Sequence, residues 1–240
     1  MEGAVRVPAV NETAAELIGR AIGMQRAAGL SEYDSKKVLA AYGIATVEEE
    51  LVKTEAEAIA AAERFGYPVV LKACSPNLAH KSDRGLVAAN LDDRSSMEAA
   101  VAEIARRAEG IALDGFLVQR MIRGKREIIV GGTRDKLFGP CVMLGLGGIL
   151  VEALADVAFR LAPLEERDAL EMINEIRAQR LFEAVRGEPA VDRVAVSQVL
   201  ITVGRILVDH PRVAQVDINP LIFEGSQPVA VDALITLGPA

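Results

Sequence analysis

Val69-Val70-Leu71-Lys72-Ala73-Cys74-Ser75-Pro76-Asn77-Leu78-Ala79-His80-Lys81-Ser82-Asp83-Arg84-Gly85 joins an apolar run bearing one lysine to a short polar loop. Residues 69–73 are apolar apart from Lys72, the pattern of a strand buried on both faces. A lysine at the end of such a strand can project its ammonium into a cleft as a point charge for phosphate. It can equally snorkel to solvent at a strand end. The loop that follows is mixed in charge and holds His80, one of two histidines in the chain. Neutral imidazole is a competent phosphoryl acceptor, and Lys81 and Arg84 would offset negative charge arriving beside it. A solvated surface turn is the other reading of the same residues.

Downstream, Gly145-Leu146-Gly147-Gly148 follows an apolar strand. Such a loop lets backbone amides approach phosphate, although it matches neither the Walker loop nor the dinucleotide fingerprint. Arg160 stands among apolar neighbours in Ala158-Phe159-Arg160-Leu161-Ala162-Pro163. A guanidinium there needs a phosphate or carboxylate partner. Near the C-terminus, Gln215-Val216-Asp217-Ile218-Asn219-Pro220 sets Asp217 and Asn219 two apart, on one face of a strand. Asp232 lies in the next apolar segment. Such oxygens, completed by phosphates and water, suit Mg²⁺.

Around these motifs the chain reads as helices and strands in mixed order. Asn11 is the expected cap of a first helix carrying Leu17, Ile18 and Ile22, and a short helix bearing Val38, Leu39 and Tyr42 ends at Gly43. Thr54 with Glu57, and Ser95 with Glu98, form two expected capping boxes. Strands are expected over 86–91, 116–122, 127–132, 141–144, 214–223 and 229–235, and helices from Leu164 and over 191–209. This order suggests α+β lobes rather than a doubly wound sheet. Residues 1–30 read as a helical extension, 31–118 as a first lobe and 119–240 as a second.

Composition narrows the function. With 51% hydrophobic and 25% charged residues the chain is an ordinary globular one, and its net charge of −7 argues against a nucleic-acid partner. The uncharged stretch 137–151 is glycine-rich and shorter than the roughly 20 residues of a membrane span. Cys74 and Cys141 lie in no Cys or His cluster, which suits a reducing cytoplasm and argues against a disulfide framework or a structural zinc site.

Taken together, the lysine strand, the His-Lys-Ser-Asp loop and Val118-Gln119-Arg120-Met121 begin a recognisable series. Arg126-Glu127-Ile128-Ile129-Val130-Gly131, Gly-Leu-Gly-Gly-Ile, Phe-Arg-Leu-Ala-Pro-Leu and Asp-Ile-Asn-Pro-Leu complete it. The series resembles the ATP-grasp domain of ADP-forming acetyl-CoA synthetases over residues 31–240. The resemblance implies two α+β lobes clamping ATP or ADP with Mg²⁺. It implies the reversible conversion of acyl-CoA, ADP and phosphate to acid, CoA and ATP. Under it Lys72 would bind phosphates, Gln119, Arg120, Met121 and Ile122 would form the hinge strand reading adenine, and Glu127, Gly147 and Gly148 would line the cleft. His80 would carry phosphate transiently, with Arg160 neutralising charge in the transfer. Asn219 and Asp232 match the magnesium ligands of the related succinyl-CoA synthetases, with Asp217 in the place of a nearby acidic residue. The family's CoA-binding module is absent from these residues. The expected partner is therefore a CoA-binding α subunit, in a heterotetramer. His210 matches no motif and reads as structural.

Two rival functions share the same nucleotide residues. A carboxylate–amine ligase of the ATP-grasp type would not need His80, and a non-catalytic ATP sensor would have no need to keep Lys72, Arg160 and the oxygen ligands together. Lys72→Met is expected to weaken ADP binding with thermal stability nearly intact.

Overall fold

A computed structural model describes residues 10–24, 29–78, 81, 83–147, 156–185 and 187–238. His80 and Gly148 lie outside them. Two antiparallel sheets organise the chain. The smaller contains β1 (Glu49–Val52), β2 (Val69–Cys74), β3 (Val87–Leu91) and β4 (Gly115–Arg120), in the order β1-β4-β2-β3. Two helices cover one of its faces, α3 (Glu55–Phe65) and α4 (Arg94–Arg107). Val69, Leu71 and Ala73 of β2 join Ala58, Ala62, Met97 and Ile104 in that core. Period-2 alternation then turns Val70, Lys72 and Cys74 to the opposite face, although every residue of β2 is buried.

The capping box of Thr54 and Glu57 opens α3 as its sequence dictates. The next helix starts earlier than Ser95 and Glu98 suggest. Asp93 is its cap, accepting from Ser96 N at 2.7 Å, and Ser96 Oγ accepts from Asp93 N at 3.1 Å. Glu98 is left to pair with Arg94 one turn before it.

The larger sheet runs β10-β8-β5-β6-β7, with β9 paired to β8. Its strands are β5 (Glu127–Asp135), β6 (Gly139–Leu146), β7 (Val157–Leu161), β8 (Val213–Glu224), β9 (Gln227–Ala230) and β10 (Ala233–Leu237). Against it pack α5 (Glu166–Glu175) and α6 (Arg193–Asp209), the latter through Val196, Leu200, Val203 and Leu207. Gly132 permits this approach: a Cβ there would lie 2.7 Å from Val203 Cγ1 and 2.9 Å from Leu207 Cδ1.

The first helix is no extension, and the second does not belong to the small lobe. Both α1 (Glu12–Gly23) and α2 (Glu32–Ala41) bury Leu17, Ile18, Val38 and Leu39 in the core of the larger sheet. Leu30 N donates to Ile235 O at 2.9 Å, and Ile235 N donates to Ser35 Oγ at 3.0 Å. The grouping 1–30, 31–118 and 119–240 is corrected accordingly: the small lobe is the segment from β1 to β4, and the large lobe is built from chain on both sides of it. Amphipathic spacing told which helix face is buried, but not against what.

Two strands, β1 and β7, escaped the sequence, and one was drawn too long. The segment 229–235 is interrupted at Val231 and Asp232, opposite Pro220. Val231 N still donates to Pro220 O at 3.1 Å, but proline has no N–H to return. The Val231 carbonyl is thereby released from the ladder.

Candidate functional site

The two sheets meet at a seam formed by their faces turned away from the helices that cover them. From the small lobe, Lys72 on β2 and Gln119 on β4 face it; Glu49 on β1 sits directly opposite Gln119 in the register. From the large lobe, Val216 and Ile218 of β8 enter the core, so Asp217 and Asn219 turn outward, half-buried and exposed respectively. The first turn of α2 inserts Glu32 between the lobes.

Two cavities adjoin along this seam. One, of about 350 Å³, is lined by Glu32, Ser75, Leu78, Lys81, Asp83, Asp217, Asn219, Asp232 and Leu234. The other, of about 270 Å³, is lined by Lys72, Gln119, Arg120, Met121, Ile122, Asn219 and Asp232, with Val70, Val87, Ala89, Ile222 and Val231 as apolar walls. Asn219 and Asp232 border both. The structure thus brings together Lys72, the hinge residues and the three oxygen donors. Glu127 and Gly147, expected in the cleft, line neither cavity: Gly147 N donates to Glu127 O at 3.2 Å, and Glu127 pairs with Ile222 behind the second. A Cβ on Gly147 would meet Glu127 Cγ at 2.6 Å, so only glycine fits there.

Arg160 does not join them. It lies on β7, three strands from β8 and so about 14 Å away across the sheet. Its guanidinium bonds Glu175 of α5 through both carboxylate oxygens, one at 3.1 Å. The carboxylate partner that the sequence required is internal. Arg120 lines the second cavity, while its side chain grips Glu224 at 2.8 and 2.9 Å.

Lys72 is not a snorkelling lysine. It is 5% exposed, and its ammonium donates to Glu32 Oε1 at 2.7 Å, Val231 O at 3.3 Å and Asp232 Oδ2 at 3.4 Å. Glu32 also accepts from Lys36 Nζ at 2.8 Å, from Gln119 Nε2 at 3.1 Å and from Lys81 Nζ. Lys36 bonds Glu49 as well, and Gln119 Nε2 donates to Glu49 Oε2 at 2.6 Å. Sequence reasoning passed over Glu32, Lys36 and Glu49. A glutamate in the first turn of a helix is commonplace in solvent, and only its spacing of four from Lys36, on the face that carries Leu39, hints at burial.

Burial alone would raise the Glu32 carboxyl, but Lys72, Lys36 and Lys81 outweigh it and hold the group well below the usual carboxylate range. For Lys72 burial works the other way, and Glu32 with Asp232 overcomes it and raises the ammonium above its ordinary value. Glu49 is raised by burial, against the pull of Lys36.

The donors fit a magnesium–nucleotide complex better than a protein-only metal cage. Among the described residues no three His, Cys, Asp or Glu side chains are grouped to hold a metal ion. Asp217, Asn219 and Asp232 offer instead three hard oxygen donors lining one cavity beside Lys81, the arrangement in which Mg²⁺ shares its coordination with phosphate.

The family model for the ATP-grasp domain matches residues 21–237. The β subunit of acetate–CoA ligase [ADP-forming] I from Pyrococcus furiosus is 40% identical over 212 residues, covering 87% of this chain and 91% of the relative. Acetate–CoA ligase [ADP-forming] I from Archaeoglobus fulgidus is 43% identical over 206 residues, 84% of this chain but only 30% of that longer protein. Acetyl-coenzyme A synthetase 1 of Ca. Korarchaeum cryptofilum has been solved with coenzyme A and Mg-AMPPCP, its phosphohistidine segment pointing towards the nucleotide binding site. That structure superposes with a TM-score of 0.80 at 38% identity, covering 94% of this chain and 100% of that one. The chain belongs to the ATP-grasp family, in the branch of the β subunits of ADP-forming acyl-CoA synthetases.

Proposed function

We propose that this chain binds Mg·ADP at the seam and performs the last phosphoryl transfer of an ADP-forming acyl-CoA synthetase, with a CoA-binding α subunit as its partner. The observation that carries the reading is the pair of adjoining cavities sharing Asn219 and Asp232, with the buried ammonium of Lys72 where they meet. The hinge-side cavity, walled by Val70, Val87, Ile222 and Val231, suits a planar base stacked between apolar side chains. The other, carrying lysine and carboxylates, suits the phosphates.

In the balanced scheme, phosphate displaces CoA from acyl-CoA in the partner, giving an acyl phosphate. Its phosphoryl group passes to histidine, releasing the acid, and reaches His80 of this chain. Attack by the β-phosphate oxygen of ADP then breaks the His80 N–P bond and forms ATP. Mg²⁺, when bound with the nucleotide, supplies charge neutralisation on the phosphates. Asp217, Asn219 and Asp232 are the residues that would hold it. Lys72 binds phosphate and offsets its charge. Arg160 has no place in this scheme, since Glu175 holds it on the far edge of the sheet.

The resemblance to the family is the reason to expect a heterotetramer. Among the described residues no helix is long and apolar enough to cross a membrane. The two thiols, Cys74 buried and Cys141 half-buried, are free, which fits a reducing cytoplasm.

Reconstitution with a CoA-binding partner, acetyl-CoA, ADP, phosphate and Mg²⁺ tests the reading. ATP should form, acid-labile label from phosphate should appear on this chain, and His80→Ala should abolish both while sparing ADP binding. ATP formation at the normal rate by His80→Ala would reject the relay, and an ADP titration without binding would reject the nucleotide site.

A further inference from the structure

We infer that Glu32 is a positioning residue of the nucleotide site, one that fixes the Lys72 ammonium between the two cavities and anchors Lys81 beside it. The inference rests on the nucleotide-binding reading above and adds to it the residue that sets the geometry of the phosphate-binding lysine.

The first observation is the saturation of this carboxylate. Its Oε1 accepts from Lys72 at 2.7 Å, Lys36 at 2.8 Å and Gln119 at 3.1 Å, and its Oε2 accepts from Lys81. The Glu32 side chain is 3% exposed. It is also the first residue of α2, where the helix dipole favours negative charge. Every contact pins it in place.

The second is the donor count at Lys72. An ammonium has three hydrogens, and here they address Glu32, the Val231 carbonyl and Asp232. A phosphate oxygen can be accepted only if one of the three yields. The bond to Asp232 is the longest, at 3.4 Å, and the Asp232 side chain is 30% exposed against 3% for Glu32. Asp232 also borders both cavities. Asp232 is therefore the exchangeable partner, and Glu32 with Val231 O the permanent mount. When the nucleotide arrives, the third N–H of Lys72 turns from Asp232 to phosphate while the other two hold the nitrogen where it was.

The third is charge balance. Three lysines (Lys36, Lys72, Lys81) meet three carboxylates (Glu32, Glu49, Asp232) at the seam. A buried network of this kind is a weak source of net stability, because desolvation offsets most of the attraction. What it does fix is position. A role limited to neutralising buried lysines would accept any carboxylate near them, whereas a positioning role depends on where the oxygens stand.

That distinction sets the test. Glu32→Asp keeps the charge and withdraws the carboxylate by one methylene, about 1.5 Å. Glu32→Gln combined with Lys36→Met removes one charge of each sign and leaves the net charge of the seam unchanged. Each variant is titrated with ADP in EDTA and again with Mg²⁺, and its thermal midpoint is recorded. Both should fold, and both should bind metal-free ADP about ten-fold more weakly than the wild type, the scale of one misplaced charge-assisted hydrogen bond. If either folded variant binds ADP like the wild type, Glu32 is a neutralising group only and the inference falls. A wild-type chain that binds no ADP would overturn the nucleotide reading, and this inference with it.

Discussion

Pro220 shapes the site by what it lacks. With no N–H to give Val231, it leaves that carbonyl to Lys36 at 3.2 Å, Lys72 at 3.3 Å and Gln119 at 3.5 Å. Asp232, the next residue, is left beside the same ammonium. Asp232→Asn should therefore separate two titrations. Binding of Mg·ADP should weaken by about ten-fold or more, the loss of one charged ligand, while metal-free ADP binds at least as well as to the wild type because Lys72 is freed. Equal losses in both titrations would remove Asp232 from the metal site. The burial of Lys72 also revises the expected cost of Lys72→Met. Nucleotide binding should be lost, but Glu32 is then left with Lys36, Lys81 and Gln119, and stability should fall by about 2 kcal/mol, below the 3–5 kcal/mol of a pair broken outright. Denaturant unfolding measures that loss. At this scale the common outward face of Asp217 and Asn219 was legible because strand alternation dictates side-chain direction. Glu32 was not, because its importance comes from groups up to 200 residues away along the chain, such as Asp232.

At the scale of elements, the C-terminal ends of α2 and α6 are tied by Tyr42, Asp209 and His210. The Tyr42 hydroxyl donates to Asp209 Oδ2 at 2.8 Å and lies 2.9 Å from His210 Nε2. With the phenol proton given to Asp209, His210 must donate from Nε2 to the Tyr42 oxygen. Burial lowers the His210 pKa below its ordinary 6.5, against the opposing pull of Asp209. A depressed pKa means that the unfolded chain binds the proton more readily. The stability concerned is fully present above about pH 6.5 and is lost as pH falls through the folded value. Thermal midpoints of wild type and His210→Gln should therefore converge as pH falls from 7 to 5; parallel curves would show that the imidazole does not titrate. The two strands missed in the sequence share a cause. In β1, two glutamates precede Leu51 and Val52, and its partner β4 lies more than sixty residues on. In β7, Val157, Phe159 and Leu161 alternate correctly, yet they face solvent while Ala158 is buried, so polarity gives no inward side. The capping box at Thr54 and Glu57 was plain because both partners are local.

For the whole molecule, the α+β class followed from the order of strands and helices, whereas the antiparallel pairing and the assignment of α1 and α2 to the larger lobe did not. Ligand binding at a seam between lobes should stabilise both. At a hundred-fold excess over Kd, Mg·ADP should add about 2.7 kcal/mol, or about 5–10 °C in thermal midpoint for a chain of this size. Scanning calorimetry should show that gain in the wild type and none in Lys72→Met; a gain in both would place the nucleotide elsewhere. The pairing of Leu30 and Ser35 with Ile235 has a consequence during translation. As the chain leaves the ribosome, the segment from β1 to β4 emerges whole and can close on itself. The helices α1 and α2, though made before that segment, must wait for β10. Until then Leu17, Ile18, Val38 and Leu39 remain uncovered on the nascent chain, the kind of surface that chaperones hold. Glu32 waits with them, so the nucleotide pocket is assembled only after β10 has emerged, and no ribosome-bound fragment ending before residue 231 can bind ADP through it.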